Sequence, residues 1–147
     1  MAEHLLFDIV THSPEETLEF GRRLAGEIRE PCWVLLHGEL GSGKTMLAKG
    51  IVSGLGAAPP EEVTSPSFTL LHEYGDATKV YHADLYRVEN ARDLATLGLE
   101  DSLSPAATTI IEWGERLGDE RPLPRIVVEM EYVSDEERRI RVKCLEK

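Results

Sequence analysis

Cysteine is scarce in this chain. There are two, Cys32 and Cys144, far apart and outside any Cys-x-x-Cys pair. That excludes a cysteine zinc site and a disulfide scaffold, and it fits a reducing compartment. Long apolar runs are also missing. No stretch of about 18 apolar residues occurs, so no helix is expected to span a membrane. The opening Met1-Ala2-Glu3-His4 is not basic, and the apolar stretch after it is short. It does not match a secretory leader, and the expectation is a cytoplasmic protein. Positive charge is in deficit, with 16 Lys and Arg against 27 Asp and Glu and a net charge of −11. A protein that coats nucleic acid through its phosphates needs the opposite balance. Internal repeats, low-complexity tracts and long linkers are absent.

What is present is an ordinary globular composition, 41% hydrophobic and 29% charged over 147 residues. At about 150 residues per domain, the length predicts one domain over 1–147. Such a chain can bury about two thirds of the surface it exposes when unfolded.

Local patterns order the chain. Leu5–Val10 reads as a short strand. Ser13-Pro14-Glu15-Glu16 then predicts a helix, with Ser13 as N-cap, Pro14 in the first turn and Glu16 closing a capping box. Leu18, Gly21, Leu24, Ala25 and Ile28 form its apolar stripe, and Pro31 is expected to end it. Cys32–His37 is a continuous apolar run, as in a strand buried on both faces. A helix is expected over Lys44–Leu55, stopped by Gly54 and Gly56. Residues 57–67 read as a loop. Phe68–Tyr74 and Lys79–Asp84 read as strands joined at Gly75-Asp76. Ala91–Leu97 reads as a helix and Thr108–Glu112 as a short buried strand. Ile126–Tyr132 and Arg138–Leu145 make a terminal strand pair around Ser134-Asp135-Glu136. Strand–helix units mixed with hairpins predict an α/β fold, a mixed central sheet flanked by helices.

The strongest signal is Gly38-Glu39-Leu40-Gly41-Ser42-Gly43-Lys44-Thr45, a complete G-x-x-x-x-G-K-T. Its glycines let the backbone wrap with N–H groups aimed at phosphate oxygens. Lys44 has the reach for the β- and γ-phosphates, and the Thr45 hydroxyl suits Mg²⁺. The helix that starts here turns its positive end to the anion. A chance glycine-rich turn explains the glycines but not the Lys-Thr pair between a buried strand and a helix. The expected nucleotide contacts are Glu39, Leu40, Gly41, Ser42, Gly43, Lys44, Thr45 and Met46. The lone asparagine, in Asn90-Ala91-Arg92-Asp93, lacks the lysine of an N-K-x-D guanine reader, which favours ATP.

Such a loop needs an acid at the end of a neighbouring strand. Asp84 and Glu112 each end an apolar strand, where ligands lie in α/β folds. One suits the metal and the other the attacking water, and position alone does not assign them. Thr64–Thr69 is either turn chemistry or a switch loop sensing the γ-phosphate. His82 is either a packed strand residue or a ligand or base. Arg87 follows Asp84 closely enough to touch phosphate or pair with an acid. Trp113 follows Glu112 as core or as a mobile reporter. Cys32 is expected to be a buried strand residue and Cys144 inert.

Taken together, Gly38–Thr45, Ser65-Pro66-Ser67-Phe68-Thr69-Leu70, Tyr81-His82-Ala83-Asp84-Leu85-Tyr86-Arg87 and Ile111-Glu112-Trp113 span about half the chain in this order. The set resembles the bacterial TsaE (YjeE) family, the small ATPase of tRNA threonylcarbamoyladenosine biosynthesis. Thr11–Thr17 is similar to that family as well. The resemblance implies a compact P-loop NTPase-like domain that binds and hydrolyses ATP with Mg²⁺, slowly when alone. It implies work with a TsaB–TsaD complex, in which TsaD transfers the threonylcarbamoyl group and the ATPase resets the assembly. Contact with tRNA would be indirect. Residue by residue, Lys44 matches the loop lysine, Thr45 the Mg²⁺-binding hydroxyl, Glu112 a metal-binding glutamate and Asp84 an aspartate needed for hydrolysis. Ser65–Thr69 matches a switch-I-like segment and Trp113 a switch-II-like neighbour. Ser67 stands where the family usually has threonine, which keeps the hydroxyl. From about Leu117 onward no motif matches, so adenine contacts stay open there.

Two rival functions share the loop. A small-molecule kinase would need an acceptor pocket and an arginine-bearing lid, which the sequence does not display. A nucleotide-dependent binding module would bind tightly and turn over negligibly.

Overall fold

A computed structural model of the chain describes residues 2–28, 32–39, 43–64, 71–75, 79–84, 107–112 and 125–146. Seven strands form one mixed sheet. They are β1 (Ala2–Thr11), β2 (Trp33–Gly38), β3 (Leu71–Tyr74), β4 (Lys79–Asp84), β5 (Ala107–Glu112), β6 (Arg125–Tyr132) and β7 (Arg138–Glu146). Their order across the sheet is β1-β7-β6-β2-β5-β4-β3. The central strands β6, β2, β5 and β4 run parallel, and antiparallel strands complete both sides. The expected mixed α/β sheet is therefore present.

Two helices, α1 (Pro14–Ala25) and α2 (Lys44–Gly54), cover one face. Phe20 and Leu24 from α1 join Leu47, Ala48, Ile51 and Val52 from α2 in one core. Val34, Leu36, Ile110, Ile126, Val128, Ile140 and Val142 meet them from the sheet. On the other face Trp33, Leu35, Ala83, Ile111 and Val127 are buried too. The middle strands are thus apolar on both sides, which is why β2 reads as an unbroken apolar run.

The start of α1 follows its sequence. Ser13 is extended, and its hydroxyl accepts the Glu16 N–H at 3.1 Å. The reciprocal bond is displaced by one residue, with the Glu16 carboxylate accepting from the His12 N–H at 3.1 Å rather than from Ser13. The helix ends earlier than Pro31 suggests. Gly26 donates its N–H to Arg23 and Leu24 carbonyls, and Ile28 lies beyond the last turn. Strand β1 is longer than its apolar segment because β7 pairs with it from Ala2 to Thr11. The segment after α2 is not a plain loop but contains a short 3₁₀ turn at Pro60–Glu62. Strand β3 begins at Leu71. Phe68–Leu70 and the expected helix at Ala91–Leu97 lie outside the described residues.

Glycines set the helix crossing. A methyl on Gly21 would meet Leu47 O at 2.5 Å and Gly50 Cα at 2.9 Å, and one on Gly50 would meet Leu18 O and, at 2.8 Å, Gly21 Cα. One on Gly54 would lie 2.6 Å from Ala25 Cβ. Gly54 is therefore a packing residue at the end of α2, and Gly56, at φ 77°, is the one in the left-handed region. The contact holds the second half of α1 against the second half of α2.

Candidate functional site

The site lies where β2 hands the chain to α2. Gly43 occupies the left-handed region at φ 103° and is the N-cap of α2. No side chain caps this helix and no acid stands in its first turn. Helix α1, by contrast, carries Ser13, Glu15 and Glu16 at the same point. An α-helix leaves its first N–H groups without intrahelical acceptors, and here no carboxylate of the helix competes for them. The arrangement favours an anion.

Lys44 is 4% exposed, and its ammonium donates to the carbonyls of Gly38 at 2.6 Å and Glu39 at 2.9 Å. It thus curls back beneath the loop from which it springs. Next to it the Thr45 hydroxyl donates to Glu112, 3.1 Å from Oε1 and 3.3 Å from Oε2. Glu112 ends β5, directly beside β2, which is why a residue 67 positions away in sequence reaches the loop. Asp84 ends β4 at the register position opposite Glu112. The two acids that sequence placed at strand ends therefore stand on adjacent strands at one sheet edge.

His82 was the least legible member. It is fully buried, and its Nε2 lies 2.5 Å from Glu112 Oε2. Across the sheet it faces His72 on β3. The His72 Nδ1 is 3.2 Å from the Tyr74 hydroxyl, whose oxygen also accepts the Thr64 N–H at 3.4 Å. Burial, and then the neighbouring His82, push the His72 pKa below its ordinary value.

A cleft of about 40 Å³ adjoins Gly43, lined by Pro14, Thr17, Met46, Glu136 and Arg138. Its walls come from α1, α2 and the β6–β7 turn. Arg138 holds that turn by donating to the carbonyls of Ser134, Asp135 and Glu137 at 2.8, 3.1 and 2.9 Å. His12 reaches across to Glu137 at 2.8 Å. That contact, followed by the Ser134 hydroxyl, holds the Glu137 carboxyl below the usual carboxylate range. No motif marks Glu136 or Arg138 in sequence. The parallel pairing of β6 with β2, Met130 opposite Gly38, brings the turn to the loop.

Several expected residues lie outside the described ones: Leu40, Gly41 and Ser42 in the loop, Ser65–Thr69, Arg87 and Trp113. Glu39 is exposed after β2, and Met46 lines the cleft. Cys32 is half-buried just before β2 rather than within it, and burial, then Cys144, push its thiol up to about 12.

A glycine-rich loop between a central parallel strand and a helix, with a carboxylate on the next strand, defines a mixed α/β protein of P-loop NTPase-like fold. Residues 11–140 match the family model described as threonylcarbamoyl adenosine biosynthesis protein TsaE, and the chain belongs to that family. It is 35% identical over 133 residues to the tRNA threonylcarbamoyladenosine biosynthesis protein TsaE of Treponema pallidum, covering 90% of this chain and 97% of that one. The Streptomyces coelicolor protein of the same name is 38% identical, over 86% of this chain and 89% of its own. The crystal structure of Bacillus subtilis YdiB superposes with a TM-score of 0.74 at 27% identity, covering 98% of this chain and 88% of that one. The family is involved in threonylcarbamoyladenosine biosynthesis.

Proposed function

We propose that the chain is a magnesium-dependent ATPase that serves tRNA threonylcarbamoyladenosine modification as an accessory subunit of a TsaB–TsaD-like complex. The observation that carries this reading is the Thr45–Glu112 pair beside a buried lysine and an uncapped helix start. The Thr45 hydroxyl and the Glu112 carboxylate, joined by a hydrogen bond, are hard oxygen donors of the kind that would hold Mg²⁺. Among the described residues no group of three His, Cys, Asp or Glu could hold a metal ion. Mg²⁺ commonly takes one or two carboxylates and completes its shell from substrate phosphates and water.

In this reading Glu39–Met46 wrap the phosphates, and Lys44 turns its ammonium to the β- and γ-oxygens. Thr45 and Glu112 hold the metal. Asp84, beside Glu112, orients the attacking water. Magnesium, when bound, neutralises charge on the phosphate oxygens. The acidic balance suits a subunit that meets proteins and leaves tRNA to its partners.

The test is phosphate release from Mg–ATP by the purified protein, alone and with TsaB–TsaD. A slow rate that rises sharply with the pair and vanishes in Lys44→Ala is expected. A rate indifferent to the pair overturns the complex assignment. Phosphate recovered on a metabolite instead of in water makes the protein a kinase.

A further inference from the structure

Resting on the reading of Thr45 and Glu112 as a metal-binding pair, we propose that His82 is a positioning residue that aims the Glu112 carboxylate at Thr45. Glu112 is 3% exposed, so its carboxylate has little water to orient it. Two side chains contact it among the described residues, the Thr45 hydroxyl and His82 Nε2. The carboxylate only accepts, so Nε2 is the donor. The shorter of the two contacts, 2.5 Å, is to His82, and it falls on Oε2. The closer approach of Thr45, 3.1 Å, is to Oε1. The histidine thus pins one oxygen and leaves the other facing the loop. If the Thr45 oxygen were to bind a metal through a lone pair, its proton would remain free to meet Glu112, and the His82 contact on Oε2 would hold the carboxylate from its other side.

Among the described residues the histidine ring makes no other hydrogen bond. Its Nδ1 is buried and has no hydrogen-bond partner among the described residues. An imidazole buried with one nitrogen unsatisfied destabilises a fold relative to an apolar side chain of similar size. Val80 on the same strand and Ile110 on β5 are apolar, while His72 on β3 is the register neighbour on its other side. Among the described residues its hydrogen bond is to Glu112. Hydrogen bonds to ligating side chains are worth about 10–100-fold in metal affinity where they have been removed.

Three substitutions separate positioning from filling. Gln places an amide N–H close to where Nε2 stands, Asn places one near Nδ1, and Leu fills the space without a donor. Calorimetry of ADP binding across a magnesium chloride series, with an EDTA arm, reads the metal requirement apart from turnover. His82→Asn and His82→Leu should raise the magnesium concentration for half-maximal effect about 10–100-fold. Affinity in EDTA should stay at the wild-type value. His82→Gln should stay within about threefold of wild type in its magnesium requirement, on the same reasoning. Nitrogen-15 NMR of the metal-free protein should find the His82 proton on Nε2. Magnesium-sensitive wild type with an equally sensitive His82→Leu overturns the proposal alone. So does a His82→Gln as impaired as His82→Asn. If the leucine variant does not fold, the Gln and Asn pair decides. A wild-type protein whose ADP affinity ignores magnesium overturns the metal reading first, and the proposal with it.

Discussion

Asp84 and Glu112 hold equivalent positions at the ends of two neighbouring parallel strands, and the Thr45 hydroxyl donates to Glu112. The two acids should therefore fail differently. Asp84→Asn should lower hydrolysis about 10²-fold or more while nucleotide affinity stays close to wild type. Glu112→Gln should lose hydrolysis together with the magnesium dependence of binding. Phosphate release and calorimetry on the same preparations check both. Loss of nucleotide affinity in Asp84→Asn would contradict its role.

Lys44 is buried with its charge on two loop carbonyls, so on the proposed reading its removal acts on bound phosphates and on the loop at once. Hydrogen bonds to a charged group are worth about 1.5–3 kcal/mol. Lys44→Ala should therefore weaken ATP binding roughly tenfold to a hundredfold, read by calorimetry.

At the helix crossing, Gly21 and Gly50 leave no room for a methyl group. Gly50→Ala should cost about 1–3 kcal/mol through overpacking. For a chain of this length that lowers the thermal midpoint by roughly 3–10 °C. Circular dichroism on heating checks it, and Gly56→Ala, where nothing lies within 4 Å, should act only through its positive φ.

The chain has two tryptophans. Trp33 is buried in β2, whereas Trp113 adjoins Glu112 in sequence. Fluorescence should change on adding Mg–ATP, and Trp113→Phe should abolish the change while Trp33→Phe keeps it. A response that survives Trp113→Phe would sink the reporter role.

Burial holds the Cys32 thiol protonated up to about 12, above its ordinary value of 9.0. The raised value means that the folded state binds this proton more tightly. Its contribution to stability is complete below the ordinary value and is lost as pH rises through the folded one. Urea midpoints for wild type and Cys32→Ala should therefore converge as pH is raised from about 8 toward 11. Parallel curves over that window would contradict the shift.

The parts of the site that were legible in sequence are those built from contiguous residues. Ser13 and Pro14 announce α1 by local capping chemistry, and Gly38–Thr45 announces the loop by spacing. Asp84 and Glu112 were visible because strand ends carry ligands in α/β folds. Their adjacency was not, because strand order is decided by tertiary packing. His82 looked like a packed strand residue, since the carboxylate that explains it lies 30 positions away. Gly50 was invisible for the same reason: a glycine within a helix means little until another helix is seen to cross it. Glu136 and Arg138 belong to a turn whose local chemistry says nothing about the cleft they line.

Strand β2, which delivers the loop, has β5 on one side and β6 on the other. Its second neighbour begins at Arg125, and the outermost pairing joins β1 to β7. During synthesis the loop leaves the ribosome long before either partner strand exists. The nascent chain therefore carries a nucleotide motif that has no completed scaffold. A chain stalled before Arg125 carries Gly38–Thr45 without the β6 strand that pairs with β2.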